Sequence, residues 1–149
     1  MNPIAYETDF YGWTQQQAQL LKNRDFDRID WHHITEEIED MGRSEKRELG
    51  SRLEVLIMHL LKWQFQPNLR SRSWQLTIKE QRLRLETLLA ENPSLKYSLD
   101  DVKEKIYPLA IVSAEKETGL SSFPATCPYD LTQILSPQFL PIVDDAGEF

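Results

Sequence analysis

The chain has 149 residues, a formal net charge of −7 and 40% hydrophobic residues, which is enough for one hydrophobic core. Its single cysteine excludes an internal disulfide framework and any zinc site built on two or four cysteines. The acidic balance argues against a general binder of nucleic acid or of anionic membranes. No apolar run approaches the length of a membrane-spanning helix, so we expect a cytoplasmic protein.

Helical spacing of apolar residues dominates the first part of the chain. A first stripe predicts a helix over roughly 9–22, and Asp30 is a good N-cap for a second helix. The second stripe has spacings of 3, 4 and 3, typical of one buried helical face, and comprises Trp31, Ile34, Ile38 and Met41. Gly42 is expected to break or kink this helix, with a new start capped by Ser44; continuation through Gly42 is the alternative.

Two further helices have clear ends. The broadest apolar face belongs to a helix that Pro67 stops, and its residues are Leu49, Leu53, Leu56, Ile57, Leu60, Leu61 and Phe65. A second long helix is predicted over about 71–91, and Asn92-Pro93 ends it and starts the next.

The fourth long element, from Leu95 to Leu109, carries several local signals. Ser98 with Asp101 resembles a capping box, and Pro108 predicts a kink because it removes one backbone donor. Gly119 fits a left-handed helix stop.

The C-terminal segment, residues 121–149, holds four of the eight prolines and is expected to be mostly irregular. A short helix is predicted near 131–135, with Asp130 and Gln133 as caps. No alternation of apolar and polar residues is long enough to predict a β-strand. The sequence therefore predicts a single all-α domain over 1–149. Residues 9–120 form one antiparallel bundle of four to five helices, and the C-terminal segment packs across it.

Several short sequence motifs of this chain occur together in one known family. They are Tyr6–Trp13 (YETDFYGW), Asp30-Trp31, Glu36–Glu45 (EEIEDMGRSE), His59–Gln64 (HLLKWQ), Arg72–Trp74, Phe123-Pro124 and Cys127–Tyr129. In this order, over about residues 6–141, the chain resembles the bacterial family catalogued as domain of unknown function 29. The resemblance implies a small, standalone helical bundle in bacteria. The family has no established activity, so the resemblance implies no catalytic residue.

Basic residues are concentrated in one segment of this acidic chain. Residues 62–84 have a formal net charge of +5, whereas residues 1–61 have −5 and residues 85–149 have −7. The segment supports a site for an anion or single-stranded nucleic acid, in which Trp63 and Trp74 stack on bases and the cations Lys62, Arg70, Arg72, Lys79 and Arg82 bind phosphate. The structural interpretation is favoured over this site: the cations pair internally, with Glu37 held by Arg70 or Arg72.

No motif of nucleophilic catalysis or phosphate binding occurs, so the sequence points away from an enzyme and from a bound cofactor. We expect instead a module that binds a protein partner, in part through the apolar C-terminal segment; the oligomeric state stays open. A metal site is not expected. A metal-dependent hydrolase using His33 and Glu36, with His59 from a neighbouring helix, is the remaining alternative.

Overall fold

The computed structural model describes residues 2–142, and the last seven residues of the predicted C-terminal segment, 143–149, lie outside the described residues. Within that range the chain forms five α-helices and three short 3-10 helices and contains no strand, which confirms the all-α class. The fold divides into two compact units, Met1–Ser44 and Glu45–Phe149. No helix between residues 2 and 142 is both long and apolar enough to cross a membrane.

The Met1–Ser44 unit is organised around Asp30. Helix α1 (Phe10–Lys22) begins where the Asp9 carboxylate accepts a hydrogen bond from the Gly12 amide at 2.9 Å. Its buried Trp13 donates from Nε1 to Asp30 Oδ2 at 3.0 Å, and Asp30 Oδ1 accepts from the His33 amide at 3.3 Å. Asp30 thus caps the next helix, as predicted, and ties it to α1.

Helix α2 (Trp31–Phe65) continues through Gly42, so the predicted break there is wrong. A glycine inside a helix costs only about 1 kcal/mol relative to alanine, which the good helix formers on either side outweigh. Apart from the adjacent residues and the backbone of α2 itself, no described atom lies within 4 Å of where a Cβ on Gly42 would stand.

The Glu45–Phe149 unit is a helical bundle with its own core. It contains the second half of α2, then α3 (Arg72–Glu91) and α4 (Leu99–Thr118), and it ends with α5 (Leu131–Leu135). Ser71 caps α3, because its hydroxyl accepts from the Trp74 amide at 3.2 Å. The largest fully buried side chains come from α2, α3 and α5: Leu49, Leu53, Leu56, Ile57, Leu60, Leu61, Ile78, Leu85 and Ile134.

Three local predictions in this unit have different outcomes. Gly119 ends α4 with a φ of +74°, the left-handed conformation that was expected. The predicted capping box at Ser98 is wrong, because residues Pro93–Ser98 already form a 3-10 helix and Ser98 makes no side-chain cap. The capping box at Asp130 and Gln133 is present, and α5 has the bounds that the sequence predicted.

The described part of the C-terminal segment is packed into this unit. The Tyr129 hydroxyl donates to Gln64 Oε1 of α2 at 2.6 Å, and the Tyr107 hydroxyl of α4 donates to the Pro124 carbonyl at 2.6 Å. Tyr129 and Ile134 are buried. Tyr129 and Ile134 are therefore used within the chain, and the engagement of a partner by this segment stays a prediction.

Candidate functional site

The cations of the predicted anion site differ in what they contact. Lys62 of α2 is buried; its Nζ pairs with the Glu117 carboxylate of α4 and lies 4.5 Å from the centre of the Trp74 ring. A buried ammonium requires such a partner, since an isolated charge pays a large desolvation cost. The Lys62 ammonium is therefore stabilised by the Glu117 carboxylate and by the Trp74 ring within this unit.

Arg70, in the turn between α2 and α3, contacts the other candidate stacking residue. Its Nε donates to the Trp63 carbonyl at 2.7 Å, and its guanidinium carbon lies 5.0 Å from the centre of the Trp63 ring. One terminal nitrogen, Nη2, is buried and has no hydrogen-bond partner among the described residues. The structure thus brings Trp63 and Arg70 together as a pair.

Arg82 of α3 is 7% exposed and binds backbone carbonyls of the C-terminal segment. Its Nε donates to the Ile134 carbonyl at 2.8 Å, and a terminal nitrogen donates to the Gln133 carbonyl at 3.2 Å. Burial lowers the pKa of this guanidinium from its usual value. Arg82 closes the end of α5, where helical carbonyls lack an intrahelical donor.

Only two of the five predicted phosphate-binding cations, Arg72 and Lys79, belong to exposed residues of α3. The other three have the internal contacts given above. Binding of an anion or single-stranded nucleic acid through residues 62–84 stays a prediction, and it would depend on these two exposed cations.

Glu37 has a different partner from the one expected. The Tyr6 hydroxyl donates to Glu37 Oε1, within the Met1–Ser44 unit. This hydrogen bond is the main reason that the pKa of Tyr6 rises to about 12. The ion pair of Glu37 with Arg70 or Arg72 stays a prediction. Sequence reasoning missed Tyr6 because 31 residues separate it from Glu37, and no local pattern reports such a contact.

Histidines and a carboxylate cluster at the start of α2. His32, His33 and Glu36 each offer a ligand atom, and these atoms lie within 4.8 Å of one another. His33 Nδ1 lies 2.6 Å from Asp30 Oδ2, and this hydrogen bond raises the pKa of His33. Burial acts to raise the pKa of Asp30, but hydrogen bonds from His33 and Trp13 outweigh it and the pKa is lowered.

His59 does not belong to this cluster. It lies on α2 as well, not on a neighbouring helix, and its Nδ1 is 2.8 Å from the Val55 carbonyl one turn earlier. Burial lowers the pKa of His59. The predicted set of His33, Glu36 and His59 is therefore corrected to His32, His33 and Glu36. The spacing of four between His32 and Glu36 was the available sequence signal.

The only cysteine of the chain, Cys127, is not set up as a nucleophile. Burial raises the pKa of its thiol, and the thiol lies 3.5 Å from the Tyr129 carbonyl oxygen. A cavity of about 230 Å³ adjoins Cys127, Tyr107 and Pro108. The thiol is thus a half-buried packing group of the C-terminal segment.

The first half of α2 presents an apolar face to solvent. Trp31 is 52% exposed, Ile38 59% and Met41 61%, although their spacing predicted a buried face. Ile34, on the same face, is half-buried. We call these four residues the α2 stripe. Sequence reasoning found the stripe but placed it inward, because spacing defines a face without saying what covers it.

Comparisons with known proteins identify a family and nothing closer. A family model described as Domain of unknown function DUF29 matches residues 5–140. No curated protein and no solved structure matches the chain significantly.

Proposed function

The chain belongs to the DUF29 family, whose description assigns no activity, and we propose that it is a binding module for a helix of a protein partner. The partner helix docks on the α2 stripe, that is Trp31, Ile34, Ile38 and Met41. The observation that carries this proposal is the exposure of three large apolar side chains on one helical face. Contiguous exposed apolar surface is typical of protein interaction sites.

The spacing of the stripe suits a helical partner. Its intervals of 3, 4 and 3 residues repeat the pattern by which two helices interlock side chains along a seam. A peptide that binds by strand addition would need an unpaired strand edge, and the described residues contain no strand. An amphipathic helix is thus the occupant that fits this face.

Gly42 gives a second reason to expect a partner. It follows Ile38 by one helical turn and therefore borders the stripe. Glycine inside a helix lowers stability by about 1 kcal/mol relative to alanine, and apart from the adjacent residues and the backbone of its own helix no described atom lies within 4 Å of the missing Cβ. Packing among the described residues does not account for glycine here, whereas a partner backbone that approaches closely does.

Charge indicates the composition of the partner. Between Trp31 and Gly42, α2 carries four carboxylates and no lysine or arginine: Glu36, Glu37, Glu39 and Asp40. Arg43, one residue later, pairs with Glu39 at 3.7 Å and with Asp40. The partner helix is therefore expected to flank its apolar face with lysine or arginine, which speeds association at low salt.

The test combines cross-linking with matched variants. A photo-cross-linking residue at position 38 identifies the protein that touches the stripe in the native host. A purified peptide of the cross-linked helix is then titrated onto the wild-type chain and the variants. Ile38→Glu should weaken binding at least about tenfold, as expected for a central apolar anchor. Gly42→Gln should also weaken binding while it leaves α2 as stable or more stable.

The control is Leu83→Glu on α3, where Leu83 is 54% exposed, similar to Ile38. It should bind the peptide like the wild type. The proposal is wrong if position 38 cross-links to no protein, or if Ile38→Glu binds as tightly as the control. Recovery of nucleic acid that nuclease removes, without any cross-linked protein, would instead favour residues 62–84.

A further inference from the structure

Side chains from two segments meet at the start of α2 in a metal-binding arrangement. Besides the cluster of His32, His33 and Glu36, Glu7 of the N-terminal segment reaches the same place, with its Oε1 3.4 Å from His33 Nε2. We propose that His32, His33 and Glu36 bind a divalent first-row transition metal ion of the zinc type, with Glu7, which contacts His33, as the fourth ligand once it moves toward the ion. The inference is independent of the proposed partner binding.

Two of the distances between ligand atoms match those around one ion. His32 Nε2 lies 3.1 Å from Glu36 Oε1, close to the His33–Glu7 separation of 3.4 Å. A tetrahedral zinc ion with bonds of about 2.0–2.2 Å places its ligands roughly 3.3–3.5 Å apart. Each pair is therefore already spaced like two ligands of such an ion. The i, i+4 spacing of His32 and Glu36 on α2 holds the first pair together.

Asp30 and Tyr6 fix the orientation of the His33 imidazole. Asp30 Oδ2 holds Nδ1 at 2.6 Å, which leaves Nε2 as the nitrogen available to a metal. Asp30 is itself fixed by the Trp13 indole, which donates to it at 3.0 Å. Tyr6 stacks on the imidazole with ring centres 4.0 Å apart. A carboxylate behind a histidine is the usual arrangement in metal sites, and its loss typically weakens binding 10- to 100-fold.

The ligand types decide the class of metal. Two imidazoles with carboxylates favour Zn²⁺, Ni²⁺ or Cu²⁺, whereas Mg²⁺ and Ca²⁺ prefer sites built from oxygen alone. His32 is 77% exposed on its side chain and Glu36 is 50% exposed. Solvent therefore reaches the ion directly, and the residues can be changed without disturbing a core.

The experiment is a zinc titration of the full chain without an affinity tag, after chelator treatment and dialysis at neutral pH. The wild type should bind one Zn²⁺ per chain, and cobalt should give the visible spectrum of a tetrahedral site. His32→Ala and Glu36→Gln should each weaken zinc binding at least about tenfold. Glu39→Gln on the same helix and His59→Gln serve as matched controls and should bind like the wild type.

Far-ultraviolet circular dichroism of each variant confirms that the helices persist, so that lost binding is not lost folding. The site is refuted if the chain binds well under one Zn²⁺, or if His32→Ala and Glu39→Gln bind equally. It is also refuted if millimolar Mg²⁺ displaces zinc, since that indicates an oxygen site or nonspecific charge. In any of these cases the four groups are ordinary surface ion pairs.

Discussion

Arg82 provides the sharpest test of how the C-terminal segment is held. Its guanidinium is buried on α3 and donates to two carbonyls at the end of α5, at 2.8 and 3.2 Å. Arg82→Met keeps most of the apolar stem and removes both donors. The Ile134 carbonyl oxygen then loses this donor, and the Gln133 carbonyl oxygen keeps only the 3.3 Å bond from the Ser136 amide.

The expected loss follows from these contacts. A hydrogen bond from a charged donor contributes about 1.5–3 kcal/mol, so two of them contribute about 3–6 kcal/mol. The variant no longer pays the desolvation cost of a buried guanidinium, which offsets part of this. We therefore expect Arg82→Met to lower the free energy of unfolding by about 2–4 kcal/mol. Arg82→Lys should lose less, because an ammonium keeps the charge but lacks the two-pronged geometry.

Urea denaturation followed by circular dichroism measures this loss, and hydrogen exchange locates it. Amides of α5 should exchange faster in Arg82→Met than in the wild type. The control is Arg84→Met on the same helix, where Arg84 pairs with Glu80 at 2.9 Å and both side chains are more than half exposed. That change should cost less than about 0.5 kcal/mol. Equal stability of the two variants, with unchanged exchange in α5, would refute the assignment.

Three further changes test single contacts. Tyr129→Phe removes the hydroxyl that donates to Gln64 at 2.6 Å and should lower stability in urea by about 1 kcal/mol; no loss would mean that water replaces the bond at no cost. Gly119→Ala forces a φ of +74° on a residue with a Cβ, which should lower the free energy of unfolding by about 1 kcal/mol and so lower the thermal midpoint. An unchanged midpoint would contradict this. Burial lowers the pKa of His59 and outweighs the Val55 hydrogen bond, which raises it, while the smaller effects of Lys62 and Glu117 oppose each other. The neutral ring therefore favours the folded state above about pH 6.5, and this contribution is lost as the pH falls. The free energy of unfolding should then drop more steeply between about pH 6.5 and 5 in the wild type than in His59→Gln, and an equal or opposite slope would refute it.

Much of the fold could be predicted from local physics. The spacing of apolar residues placed α1, α3 and α5 within about a residue of their observed bounds. The cap at Asp30 and the stop at Gly119 were also predicted, since they depend on a few neighbouring residues. Ser98 shows the limit of this reasoning, because a capping box in the sequence competes with other local turns and here a 3-10 helix forms instead.

The candidate sites depended on contacts that the sequence does not contain. The sequence by itself determined that the chain is helical, where α1, α3 and α5 lie, and that Trp31, Ile38 and Met41 share one face. Only the tertiary structure decided that this face is exposed, that Lys62 and Arg82 are buried, and that Glu7 meets His33 of α2. The physical reason is the range of the interactions. Helix periodicity and capping act over about four residues, whereas burial and charge pairing depend on whichever distant segment packs opposite.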